Sequence, residues 1–133
     1  MKEPLSAQWK NQSDEHDYVA AASYLSLLVD PKTAKQTAAS FKKSPISKYL
    51  AKDLLRASRL PLLQAENCHV KADLKKVKKG DRLSPILLVR GDLENDQPLV
   101  IADGYHRVCA SYYLDENAEV LCHLVDLKPG ATR

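Results

Sequence analysis

No apolar run in these 133 residues approaches the roughly 18 needed to cross a bilayer, and behind Met1-Lys2-Glu3-Pro4 there is no apolar stretch of the kind a signal peptide carries. Neither membrane insertion nor export is legible in the chain, and a cytoplasmic location is expected. Cysteine is scarce as well. Cys68, Cys109 and Cys122 are odd in number, far apart and free of any C-x-x-C spacing. That excludes a readable disulfide framework or zinc ribbon and predicts reduced, mostly buried thiols. Carboxylates do not gather at metal-ligand spacing either. Asp92, Glu94 and Asp96 fall on a turn that lacks the glycine and distant glutamate of an EF-hand loop, so no metal is expected. Internal repeats and low-complexity tracts are also missing.

What remains is the balance of a globular protein, with 44% hydrophobic and 28% charged residues. A chain of this length buries about two-thirds of its unfolded surface, which predicts one core. The formal net charge of +3 is unevenly spread. Ile46 to Gly80 holds nine Lys or Arg against three Asp or Glu, whereas Asp81 to Arg133 holds five against nine.

Periodicity and punctuation divide the chain. The first dozen residues show no period and read as a loose lead-in. Ser13-Asp14-Glu15-His16 resembles a helix start with Ser13 as N-cap, continued by Val19, Ala22 and the run Leu25 to Leu28. Asp30-Pro31 repeats the start signal and opens a second helix to about Phe41, giving an N-terminal hairpin. Ile46, Leu50, Leu54 and Ala57 predict a further helix from Ile46 to Ser58, stopped by Pro61, with a loop to His69. Val70 to Lys79 is a lysine-rich amphipathic helix closed by Gly80. Ile86-Leu87-Leu88-Val89 and Leu99-Val100-Ile101 read as buried strands around the polar turn from Gly91 to Gln97. Tyr105, Val108, Cys109 and Tyr112 place one apolar face on a helix from Tyr105 to Asp115, and Glu119 to Val125 reads as the last strand.

The segment Asp103-Gly104-Tyr105-His106-Arg107 joins a strand directly to a helix. The first amides of such a helix have no intrahelical partner and point outward, which suits an anion. Gly104 can take positive φ and lets a phosphate approach the backbone, Arg107 supplies a permanent charge, and His106 supplies a donor that titrates near neutral pH. A purely structural version has Asp103 capping the helix, His106 and Arg107 solvated, and Tyr105 in the core. Lys71, Lys75, Lys76, Lys78 and Lys79 offer either a solvated face or phosphate contacts, with Lys75 and Lys76 the candidates for the latter. His69 and His123, isolated in sequence, read as structural.

From Leu83 to Val125 the chain resembles the ParB N-terminal-like and sulfiredoxin superfamily. The likeness is carried by Ile86-Leu87-Leu88-Val89, by Leu99-Val100-Ile101-Ala102-Asp103-Gly104-Tyr105-His106-Arg107-Val108-Cys109-Ala110, and by Val120-Leu121-Cys122. With the helices before Gly80 the resemblance covers about Ile46 to Val125. It implies a nucleotide, ATP or CTP, with its phosphates at Gly104, His106 and Arg107. Sulfiredoxins place an attacking cysteine between the glycine and the His-Arg pair, where this chain has Tyr105, and a phenol with a pKa of about 10 replaces a thiolate poorly. Cys109, one turn further, reads as core rather than as a displaced nucleophile. The residues after Val125 offer no helix-turn-helix, so centromere-type DNA recognition is not implied.

The expected fold is therefore α/β (α+β), a small mixed sheet with surrounding helices. Residues 1–45 form a hairpin packed on the core, and residues 46–133 form the ParB/sulfiredoxin-like domain. The expected function is binding of a nucleotide or other phosphate ligand by Asp103, Gly104, Tyr105, His106 and Arg107. The alternative is a nucleic-acid or protein-interaction module using Val70 to Lys79. The hairpin offers a possible surface for a homodimer.

Overall fold

The computed structural model describes residues 5–127 as a mixed sheet with helices on both faces; Met1-Lys2-Glu3-Pro4 and the residues from 128 onward lie outside it. The hairpin comprises α1 (Glu15–Leu25) and α2 (Pro31–Phe41). Asp30 starts α2 as expected. Its carboxylate accepts from the Thr33 amide at 2.9 Å and the Thr33 hydroxyl at 2.8 Å, and Pro31 fills the first helical position. In α1 the N-cap is Asp14 rather than Ser13, because Ser13 is buried and its hydroxyl donates to the Pro85 carbonyl at 2.7 Å. The buried face of α1 also differs from the expected one. Asp17, Tyr18, Ala21 and Leu25 point inward, while Val19 is exposed, and the helix ends before the exposed Leu27 and Leu28.

The largest departure lies between Ile46 and Ser58, where the spacing predicts one helix. Ser47–Leu50 is instead a strand, β2, and the helix α3 runs only over Ala51–Ser58. β2 pairs antiparallel with the last strand, Glu119–Val125, placing Ser47 opposite Cys122 and Leu50 opposite Glu119. Four residues carry too little helical pattern to resist an unpaired sheet edge, so tertiary pairing decides their state. The lead-in is likewise not loose throughout. Gln8–Trp9, β1, pairs in parallel with Arg82–Leu83, β3. Trp9 packs against the core, and the Lys10 amide donates to the Leu83 carbonyl at 2.8 Å.

The main sheet has the order β2-β6-β4-β5, with β4 at Ile86–Val89, β5 at Val100–Asp103 and β6 at Glu119–Val125; β4 and β6 run parallel. Its two covered faces explain why β4 is apolar without alternation. Ile86 and Leu88 pack with α3, with α4 (Cys68–Lys79) and with α5 (Tyr105–Leu114), whereas Leu87 and Val89 pack with Tyr18, Leu25, Ala34 and Phe41 of the hairpin. α4 is capped by the Asn67 side chain and closed by Gly80 at φ +82°. Among the described residues no helix is long and apolar enough to cross a membrane. All three thiols are free. Cys109 and Cys122 are buried and Cys68 is exposed, and burial pushes the Cys122 thiol up to about 12.

Candidate functional site

β5 ends on a bulge. Leu87 opposes Asp103 and Leu88 opposes Ile101, so Ala102 is the extra residue that re-aims the strand just before the corner. Gly104 follows at φ +112°, and α5 begins at Tyr105 with no side chain capping it. The first hydrogen bond of the helix runs from the Val108 amide to the Gly104 carbonyl at 3.0 Å, leaving the amides of Tyr105, His106 and Arg107 as the orphan donors of the first turn. A Cβ on Gly104 would lie 2.5 Å from Ile86 Cδ1 and 2.9 Å from Arg107 Nη2. The glycine thus admits the guanidinium of Arg107 as well as the left-handed turn.

Arg107 is turned inward. Its Nη2 donates to Asp103 Oδ2 at 3.0 Å and lies 3.7 Å from Asp17 Oδ2 of α1. Burial pushes the Asp103 carboxyl above its ordinary value; Arg107 opposes the rise and the Asp17 carboxylate adds to it. The Tyr105 ring lies 5.7 Å from that of His106, and its hydroxyl donates to the Pro61 carbonyl at 2.5 Å. Together with the Tyr113 hydroxyl on the Leu63 carbonyl at 2.6 Å, it ties the loop before α4 to α5.

His106 meets a partner that sequence reasoning missed. Its ring centroid is 4.7 Å from that of His69 at the start of α4. Burial holds His106 below its ordinary value, with His69 adding to the effect, so its ring is neutral near pH 7 and can both donate and accept. Asp73 was also missed. It occupies the buried stripe of α4 between Val70 and Val77, and burial raises its carboxyl against the pull of Lys76, Arg107, His106 and His69. The corner therefore draws on three helices and a strand: Asp17 from α1, His69 and Asp73 from α4, Asp103 from β5, and His106 and Arg107 from α5, with α3 packed behind α5. No local signal in the sequence marks Asp17 or His69. Asp73 does leave one, a carboxylate on an apolar stripe.

The remaining candidates separate from this group to different degrees. Lys76 Nζ lies 3.9 Å from Asp73 Oδ1, at the edge of the cluster, whereas Lys75 is exposed with Lys71, Lys78 and Lys79. Cys109 is fully buried and its thiol is pushed up by burial, a poor setting for a nucleophile. Asp96 pairs with Arg59 at 2.6 Å and Asp92 accepts from the Asn95 side chain, so two of the three carboxylates of the acidic turn are already engaged. Among the described residues, Asp14, His16 and Asp17 lie close enough together to share a cation, but Asp14 is engaged by Lys10 at 2.8 Å and by Ser84 at 3.1 Å. A largely apolar cleft of about 710 Å³ lies elsewhere, between the end of α1 and the edge of β5. Tyr24, Leu28, Val89 and Leu99 are among its lining residues, and it contains no corner residue. A more open cleft of about 730 Å³ between α2 and β6 is as large and likewise contains no corner residue, whereas the convergent polar groups lie at the corner.

No family model, no curated protein and no solved structure matches the chain.

Proposed function

We propose that this chain is a ParB/sulfiredoxin-like domain that binds a nucleotide or other phosphorylated ligand at the corner from Gly104 to Arg107. One observation carries the reading: α5 opens on a left-handed glycine with no side-chain cap, so three consecutive amides at the positive end of a helix are available to an anion. The resemblance of the segment around Asp103-Gly104-Tyr105-His106-Arg107 to the superfamily supports a nucleotide as the ligand. In this arrangement the amides of Tyr105, His106 and Arg107 hold a phosphate, and the neutral His106 ring, backed by His69, donates to a phosphate oxygen. Arg107 contributes charge to the phosphate and fixes Asp103. Tyr105, bound to Pro61, has no thiol to offer, and the reading is one of binding without sulfiredoxin chemistry.

Isothermal titration of the protein with ATP, CTP and GTP tests the reading. Saturable binding of at least one nucleotide is expected, weakened about tenfold in His106→Ala by loss of one hydrogen bond to a charged group. Absence of binding for all three, or unchanged affinity in the variant, contradicts it.

A further inference from the structure

The hairpin delivers a carboxylate to the corner that the binding of a phosphate does not itself call for. Asp17 lies on the buried stripe of α1 beside Tyr18, and its side chain is 3% exposed. Its Oδ2 stops 3.7 Å from Arg107 Nη2, outside hydrogen-bond reach; it finds no donor among the described residues and abuts the Asp103 carboxyl, which it helps to raise. Arg107 Nε is buried and has no hydrogen-bond partner among them either. A structural ion pair between Arg and a carboxylate at this depth is normally closed by two parallel hydrogen bonds, because unmade capacity is costly away from water. This pair is half made. Asp103 holds the same guanidinium at 3.0 Å.

Two further observations make Asp17 the partner that can be exchanged. Its other oxygen, Oδ1, is 3.2 Å from Nε2 of His16, a residue exposed to solvent, so Asp17 is not isolated if it gives up Arg107. The charge inventory is also in excess of carboxylate: Asp17, Asp73 and Asp103 face Arg107 and the half-exposed Lys76, with His69 and His106 alongside. An anion at the amides meets that excess, and Asp17 is the one carboxylate brought by the hairpin rather than by α4, β5 or α5.

We propose that Asp17 is an intramolecular competitor of the corner's ligand: it draws Arg107 toward the hairpin in the ligand-free protein, and a phosphate oxygen displaces it on binding. Ligand occupancy and the seating of α1 then oppose each other, which makes the hairpin an electrostatic brake on the site. This rests on the corner being an anion site.

Inorganic pyrophosphate serves as the probe, titrated calorimetrically into wild type, Asp17→Asn and Asp17→Ser. Removing the carboxylate charge is expected to tighten binding by about tenfold in both variants, the scale of one partly screened charge at short range. Hydrogen exchange on the wild type supplies a readout that needs no variant: saturating pyrophosphate should speed exchange of the α1 amides. Wild-type binding with equal or weaker affinity in the two variants, or slower α1 exchange on binding, overturns the brake and leaves the corner standing. Failure of pyrophosphate and of every nucleotide to bind wild type removes both.

Discussion

Asp17 and Asp73 each occupy a place in a buried helical stripe where leucine or valine would add to the core. Among the described residues Asp73 has only Lys76, at 3.9 Å, as an ion-pair partner, and its carboxyl is raised above the unfolded value by burial. A raised carboxyl binds its proton more readily in the folded chain. The fold is therefore favoured at low pH, and that contribution is lost as pH rises through the folded value. Asp73→Leu is accordingly expected to stabilise the protein by about 1 kcal/mol at pH 7.5, and by less at pH 4.5, as measured by thermal unfolding. Destabilisation at pH 7.5 would show that Asp73 holds the α4 and α5 interface together. At this scale the contiguous run from Asp103 to Arg107 was legible because its chemistry lies within one turn. His69 and Asp17 were not, since each gains meaning only from a helix distant in sequence. Arg107 was legible as a cation but not in its direction, which is set by Asp103 and Asp17 together.

At the scale of elements, the bulge at Ala102 and the left-handed Gly104 do the positioning. Gly104→Ala combines a positive φ with a Cβ placed 2.5 Å from Ile86 Cδ1, and it also meets the Arg107 guanidinium. About 3 kcal/mol of destabilisation is expected in urea unfolding, from backbone strain plus overpacking. A loss below 1 kcal/mol would mean that the turn relaxes to another geometry. α2, with both a start signal at Asp30-Pro31 and a sustained period, was readable, whereas α4 was readable only from Val70 to its Gly80 stop, since the Asn67 cap that starts it at Cys68 was read as loop. β2 was not, because Ser47 to Leu50 extends the helical spacing of α3 and only pairing with β6 makes it a strand. β1 is two residues long and exists through β3.

The whole molecule explains why a hairpin accompanies so small a sheet. β4 is apolar on both faces, and without α1 and α2 the face bearing Leu87, Val89, Ala102 and Val125 would be open to water. Phe41, fully buried, anchors that layer, and Ser44 just beyond α2 meets the buried His123 of β6 at 3.0 Å. The hairpin thus completes the core and, through Asp17, reaches the corner on the same sheet. The amphipathic pattern of the hairpin showed that it must pack, while the face it covers became visible only once β4 was seen to be buried on both sides.

The central claim is that the amides of Tyr105, His106 and Arg107 receive a phosphate. It is tested most directly by following backbone amide resonances in a ¹⁵N-labelled sample during titration with ATP, CTP and inorganic pyrophosphate. The account predicts saturable shifts, largest at those three amides. Amides of 105–107 that stay in place while every phosphate ligand reaches millimolar concentration would contradict it.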